Sequence, residues 1–139
     1  MVTNIHATEQ DLKDYQELKG GRKYRFLILK IEGDSTLVVE YKSGPDEGIE
    51  ELKEKLPIDD ARYVIYDYEY ETNENPPRKT SKILLILWVP QSCKPKIRFT
   101  YAGTKPSLKC DFVGIQKDFQ FGDMCEFDAE QIRKELNRP

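Results

Sequence analysis

The chain has 139 residues, 38% of them hydrophobic and 34% charged, with a formal net charge of −3 at pH 7. That is the size of one domain able to bury a sizeable core, and no stretch approaches the roughly 18 apolar residues of a membrane span. Three cysteines without CxxC spacing and a lone histidine, His6, argue against a disulfide framework, a metal site and a histidine-dependent triad. They point to a reduced, cytoplasmic protein without a cofactor.

In chain order, residues 1–7 read as a flexible tail with neither the basic start nor the apolar run of a signal peptide. Thr8 followed by Asp11 is a capping-box pattern, and Leu12, Tyr15 and Leu18 give an amphipathic helix ended by Gly20-Gly21. Tyr24 to Ile31 and Thr36 to Tyr41 are strands joined by a Gly33-Asp34-Ser35 turn. A helix over Glu47 to Leu56 stops before Pro57. Arg62 to Tyr70 is a strand whose tyrosines pack with their hydroxyls satisfied, and Thr72 to Ser81 is a loop stiffened by Pro76-Pro77. Ile83 to Val89 is continuously apolar, the mark of a strand buried on both faces. Such a strand needs helices above and below it, which predicts a three-layer α/β sandwich.

Arg98 to Tyr101 reads as a short strand, with a turn at Ala102-Gly103 and one long helix from Thr104 to Phe121. At 100° per residue Leu108, Phe112, Ile115 and Phe119 form the buried stripe of that helix. Lys105, Lys109 and Gln116 flank it, and Val113 has no evident core partner. A last helix, Ala129 to Leu136, is capped by Asp128.

Of the 22 Lys and Arg residues, eight fall between Arg78 and Lys109 with no acid among them, leaving 14 against all 25 acids elsewhere. A single-sign cluster in an acidic chain suggests a surface for an anionic partner: nucleic acid, acidic lipid headgroups or an acidic protein. No GxGxxG, GxxxxGK[ST] or GxSxG motif is present, and Asp59-Asp60 sit in a turn as solvated carboxylates. Nothing assembles a nucleophile, base and orienter, so the chain does not read as an enzyme.

The succession GRKYRFLILKI, LPIDDARYVIYDYEYE, SKILLILWVP, KIRFTYAGTKPSL and VGIQKDFQ resembles the actin-depolymerising factor/cofilin family, from about Thr3 to Leu136. The most specific parts are Ala61-Arg62-Tyr63 with Tyr66-Asp67, Trp88-Val89-Pro90, and Tyr101-Ala102 leading into Lys105 and Leu108. The resemblance implies one domain over residues 1–139, with a mixed central sheet of five or six strands and helices on both faces. It implies a monomer that binds actin monomers and filaments, prefers ADP-actin, and severs and depolymerises filaments. Thr3, Asn4, Lys96, Arg98, Lys105, Lys109 and Val113 would face a monomer. Arg78, Lys79, Lys82, Lys134 and Arg138 would face a second filament subunit. Thr3 is the candidate phosphorylation site, and acidic phosphoinositides would compete for the basic face; no nucleic-acid partner is implied.

The chain departs from the family pattern at several of these positions. Thr3-Asn4 stand for a serine–glycine pair, Cys110 for a second basic residue beside Lys109, and Thr80 for an arginine found in some relatives. Lys134 and Glu135 reverse a charge order seen in some members. The glia maturation factor branch, which binds the branched-filament nucleating complex, is the alternative: Cys93-Lys94-Pro95 and Tyr101-Ala102-Gly103 look like it. Trp88, Gly21-Arg22-Lys23-Tyr24 and Gly114-Ile115-Gln116 look like cofilin. A general anion-binding module is the other alternative.

Overall fold

A computed structural model describes residues 4–33 and 35–138. Thr3 lies outside the described residues. Helix α1 (Glu9–Lys19) opens on the capping box, in which Thr8 Oγ accepts from the Asp11 N–H and the Asp11 carboxylate from the Thr8 N–H. Strands β1 (Phe26–Glu32) and β2 (Thr36–Lys42) form an antiparallel pair with a bulge between Ile28 and Leu29. Helix α2 (Ile49–Lys55) ends where Leu56 turns extended ahead of Pro57. Strands β3 (Arg62–Glu71) and β4 (Lys79–Trp88) then pair antiparallel over ten residues each. Helix α3 (Pro95–Asp111), strand β5 (Lys117–Phe121), a 3-10 turn (Met124–Glu126) and helix α4 (Ala129–Leu136) complete the order.

The sheet order is β2-β1-β3-β4-β5, and only the β4–β5 pairing is parallel. A parallel neighbour cannot be reached by a hairpin, so the chain must cross the sheet between them, and α3 is that crossover. The continuous run in β4 explains the layering. Ile83, Leu85 and Leu87 enter one core with Tyr15 and Leu18 of α1 and Tyr101 and Leu108 of α3. Leu84, Ile86 and Trp88 enter a second core with Leu52 of α2 and Ile132 and Leu136 of α4. Full burial of each such aliphatic side chain stabilises the fold by roughly 1.5–3 kcal/mol, so β4 alone fastens both helical layers. The mixed five-stranded, three-layer sandwich is the architecture expected from the sequence.

The tyrosines of β3 are packing residues. Tyr63 donates its hydroxyl to the Tyr101 carbonyl, and Tyr68 reaches the Ala129 carbonyl at 3.5 Å.

One stretch differs from its expected form. Arg98–Tyr101 is helix rather than strand, and the helix expected over Thr104 to Phe121 is instead α3 shifted nine residues earlier, followed by β5. Pro95 opens α3 at N1, where its missing N–H costs nothing. Pro106 sits inside the helix, which continues through it because Tyr101, Thr104 and Leu108 are buried against the sheet on either side. Leu108 and Phe112 are core, as expected from their spacing, but Ile115 and Phe119 are half-buried and lie beyond the helix. Phe119 packs on the opposite side of the sheet, against the second core.

Candidate functional site

From Pro95 onward, 100° per residue puts Ile97, Tyr101, Thr104 and Leu108 on the inner side of α3. The last three are buried and Ile97 is packed against them. The outer side carries Phe99, Ala102, Pro106 and Cys110, all exposed, at spacings of three and four. Phe99 is 64% exposed, an aromatic ring held in water by a helix. Arg98, Lys105 and Lys109 border this apolar stripe on one flank and Lys96 on the other. Val113 follows the helix and is 68% exposed. Treating Arg98 to Tyr101 as a strand hid Phe99; the missed signal was Pro95 as a helix start.

The basic flank is not uniformly free. Lys105 and Lys109 are one turn apart, and both reach Asp118 on β5: Lys105 Nζ to Oδ2 at 2.7 Å and Lys109 Nζ to Oδ1 at 3.2 Å. Asp118 comes from beyond the acid-free segment, so only the folded chain brings it under the ridge. Arg98 Nη2 donates to the Pro90 carbonyl at 3.0 Å, fastening the loop before α3. Lys96 is exposed in the first turn.

Both ends of the tail-to-ridge path are anchored. Ile5 is buried in the core. The Ala7 N–H donates to Asp111 Oδ2 at 3.0 Å, and His6 Nδ1 lies 3.0 Å from the same oxygen. Asn4, exposed, lies two residues ahead of this tie to the C-terminal end of α3. There the Val113 carbonyl accepts from Tyr15 Oη at 2.8 Å and Lys19 Nζ at 3.0 Å. Burial pushes the Tyr15 phenol up to about 12, so it remains a proton donor to that carbonyl across the physiological range.

The sequence profile described as cofilin/tropomyosin-type actin-binding protein matches residues 4–137. The chain belongs to that family. It is 32% identical to actophorin of Acanthamoeba castellanii over 99% of this chain and 98% of that one. It is 38% identical to actin-depolymerizing factor 1 of Arabidopsis thaliana over 94% of each. The crystal structure of Streptomyces griseoflavus cofilin superposes with a TM-score of 0.85 at 27% identity, covering 97% of this chain and 98% of that one.

A second group of cations in this cofilin-type chain lies in the other helical layer. Lys82 on β4 donates to the Leu136 carbonyl at 3.4 Å, at the C-terminal end of α4, where a cation meets the negative end of the helix dipole. The β3–β4 hairpin is tied to the same end: Asn137 Nδ2 donates to the Glu71 carbonyl at 3.0 Å, and Asn137 Oδ1 accepts from the Asn73 N–H at 3.1 Å. Lys82 is thereby brought to the C-terminal end of α4, where Lys134 and Arg138 are exposed, and Lys79 is exposed farther along β4. Arg78 pairs with Glu74 at 2.7 Å and Arg138 with Glu135 at 3.3 Å, so both carry part of their charge locally compensated.

The Asp118 carboxyl is held below the ordinary carboxylate range, first by its hydrogen bond from Lys105 and, against partial burial, by that from Lys109. A folded-state value below the unfolded one stabilises the fold above the unfolded value, and that stabilisation disappears as pH falls through the lowered value. Asp118→Asn is expected to flatten the stability-versus-pH curve below about pH 4. It should also leave two uncompensated lysines on the ridge, giving a roughly two- to fivefold faster association with an anionic surface at low salt. Acid unfolding and stopped-flow association across ionic strength check both; an unchanged salt slope would count against the lysines facing the partner.

Proposed function

We propose that this chain binds actin monomers and filaments through the outer side of α3, prefers ADP-bound subunits, and severs and depolymerises filaments. The observation that supports this best is the exposed Phe99, framed by cations on a helix whose inner side is fully packed, in a chain matching an actin-binding family from residue 4 to 137. An exposed aromatic in a basic frame suits a partner with an apolar cleft and an acidic rim. In this reading Thr3, Asn4, Lys96, Arg98, Lys105, Lys109 and Val113 face a monomer. Phosphorylation of Thr3 would add about two negative charges and repel that rim. Acidic phosphoinositides would compete for the same cations.

Arg78, Lys79, Lys82, Lys134 and Arg138 then face the neighbouring subunit of a filament. The outer side of α3 and the Lys82 corner at the end of α4 lie in opposite helical layers, so one domain can touch two subunits at once. Binding that favours an altered subunit arrangement shifts filaments toward it by the difference in affinity, and no cofactor or bond-breaking step is needed. The chain acts as a cytoplasmic actin regulator and not as an enzyme.

Cosedimentation with ADP- and ATP-actin filaments, joined to imaging of single filaments, tests this reading. Pelleting with ADP filaments and visible severing are expected. Failure to pellet, with binding to the branched-filament nucleating complex, would replace it with the glia maturation factor reading. Binding to phosphoinositide vesicles alone would leave only an anion-binding module. Lys82→Ala should weaken filament binding by roughly tenfold, about the size of one lost hydrogen bond to a charged group, and leave monomer binding almost unchanged. An equal loss in both assays would remove Lys82 from the second surface.

A further inference from the structure

We propose that the groove between β5 and α4 is a docking site for an extended, basic segment of a partner protein, which adds to the sheet as a sixth strand beside β5. β5 is the edge of the sheet, so one row of its backbone N–H and C=O groups faces no neighbouring strand. Beside that edge lies a groove of about 600 Å3. Its floor is apolar: Phe119 and Phe121 from β5 and Ile132 from α4. Side chains alternate along a strand, so Phe119 and Phe121 point to the α4 side while Asp118 points to the ridge.

The rim selects the sign of the occupant. Lys117, the one cation lining the groove among the described residues, is taken by Glu135 at 3.4 Å. The Glu126 carboxylate accepts from the Gly122 and Asp123 N–H groups at 2.8 and 3.0 Å. The Asp128 carboxylate accepts from the Glu130 and Gln131 N–H groups at 2.9 and 3.1 Å. These bonds fix both carboxylates in place, and among the described residues neither meets a cationic side chain. Only every second side chain of an added strand faces the groove, so a strand whose groove-facing positions are apolar in the middle and basic at the ends satisfies all three features: backbone pairing with β5, apolar side chains on the floor, and cations at Glu126 and Asp128. A second copy of this chain fits poorly, because pairing β5 with β5 would bring two acidic rims together. The site uses neither the outer side of α3 nor the Lys82 corner, so it does not depend on the actin reading.

The test uses the full chain and an end-capped peptide, Lys-Thr-Val-Thr-Val-Thr-Lys, whose alternate positions present Lys, Val, Val and Lys to the groove, with the same peptide carrying Glu in place of Lys as control. Amide NMR shifts and hydrogen exchange are read on titration. Saturable shifts confined to β5, the 3-10 turn and α4 are expected, with slowed exchange at β5 amides. The double variant Cys125→Lys/Gln131→Lys, at two exposed groove positions, should keep its circular dichroism and bind at least about tenfold more weakly, as like charges are set against the peptide. Absence of saturable binding, equal binding of the Glu-substituted peptide, shifts centred elsewhere, or an unaffected double variant would each overturn the proposal. So would concentration-dependent protection of β5 without peptide, which would assign the edge to self-association.

Discussion

Phe99→Asp is expected to abolish cosedimentation with actin filaments and binding to ADP-actin monomers, while the thermal midpoint stays within a degree or two of the parent. Phe99 is 64% exposed and packs into neither core cluster, so its removal opens no cavity. An acid near the start of α3 is also tolerated by the helix dipole. At an interface, by contrast, a central aromatic ring is commonly worth about 2 kcal/mol or more, close to thirtyfold in affinity. Phe99→Ala should show that loss, and aspartate should exceed it by placing a desolvated charge against an acidic rim. Val113→Ala, at the edge of the same surface, should cost less than fivefold, as peripheral contacts do. Retained filament binding by Phe99→Asp would move the interface off α3 altogether, whatever the behaviour of the surrounding lysines.

The difficulty of finding Phe99 from sequence shows what can and cannot be read there. Caps are local, so Thr8 with Asp11 and Asp128 ahead of α4 could be placed from a few residues, and both make the expected bonds. The run Ile83 to Val89 gave the layering because no other environment suits seven apolar residues in a strand. The segment from Pro95 to Phe121 misled because two periodicities overlap in it. Ile97, Phe99 and Tyr101 alternate like a strand but lie on a helix. Phe112, Ile115 and Phe119 are spaced like a helix, yet the chain turns at Gly114 and runs on as β5. Local spacing cannot decide between them. The deciding factor is non-local: β5 must lie parallel to β4, and a crossover helix must already have ended for it to do so. The charge reading gains a partner for the same non-local reason. The ridge looked acid-free until strand pairing carried Asp118 beneath Lys105 and Lys109.

That turn at Gly114 is also where a single methyl group should cost most. Gly114 has φ +106°, a conformation side chains rarely adopt. A Cβ there would stand 2.7 Å from Lys19 Nζ, 3.0 Å from Lys19 Cε and 3.3 Å from Tyr15 Oη. The lysine can swing away, but only by giving up its bond to the Val113 carbonyl; Tyr15 is fully buried and cannot follow. Backbone strain of this kind costs about 1–3 kcal/mol, and a lost hydrogen bond to a charged group adds roughly 1.5 kcal/mol. Gly114→Ala is therefore expected to lower the thermal midpoint by roughly 6–12 °C in a domain of this size. Gly33 provides the control: its φ of +60° is one that asparagine accepts, and nothing lies within 4 Å of its added Cβ. Gly33→Asn should shift the midpoint by less than about 2 °C. Lys19→Ala separates the two causes at Gly114. If collision dominates, the double variant Lys19→Ala/Gly114→Ala should be no less stable than Lys19→Ala alone; if backbone strain dominates, the two losses add. The φ angle argues for addition, because moving Lys19 relieves the clash and leaves the backbone where β5 requires it. A Gly114→Ala variant as stable as the parent would mean that the chain leaves α3 by a different turn.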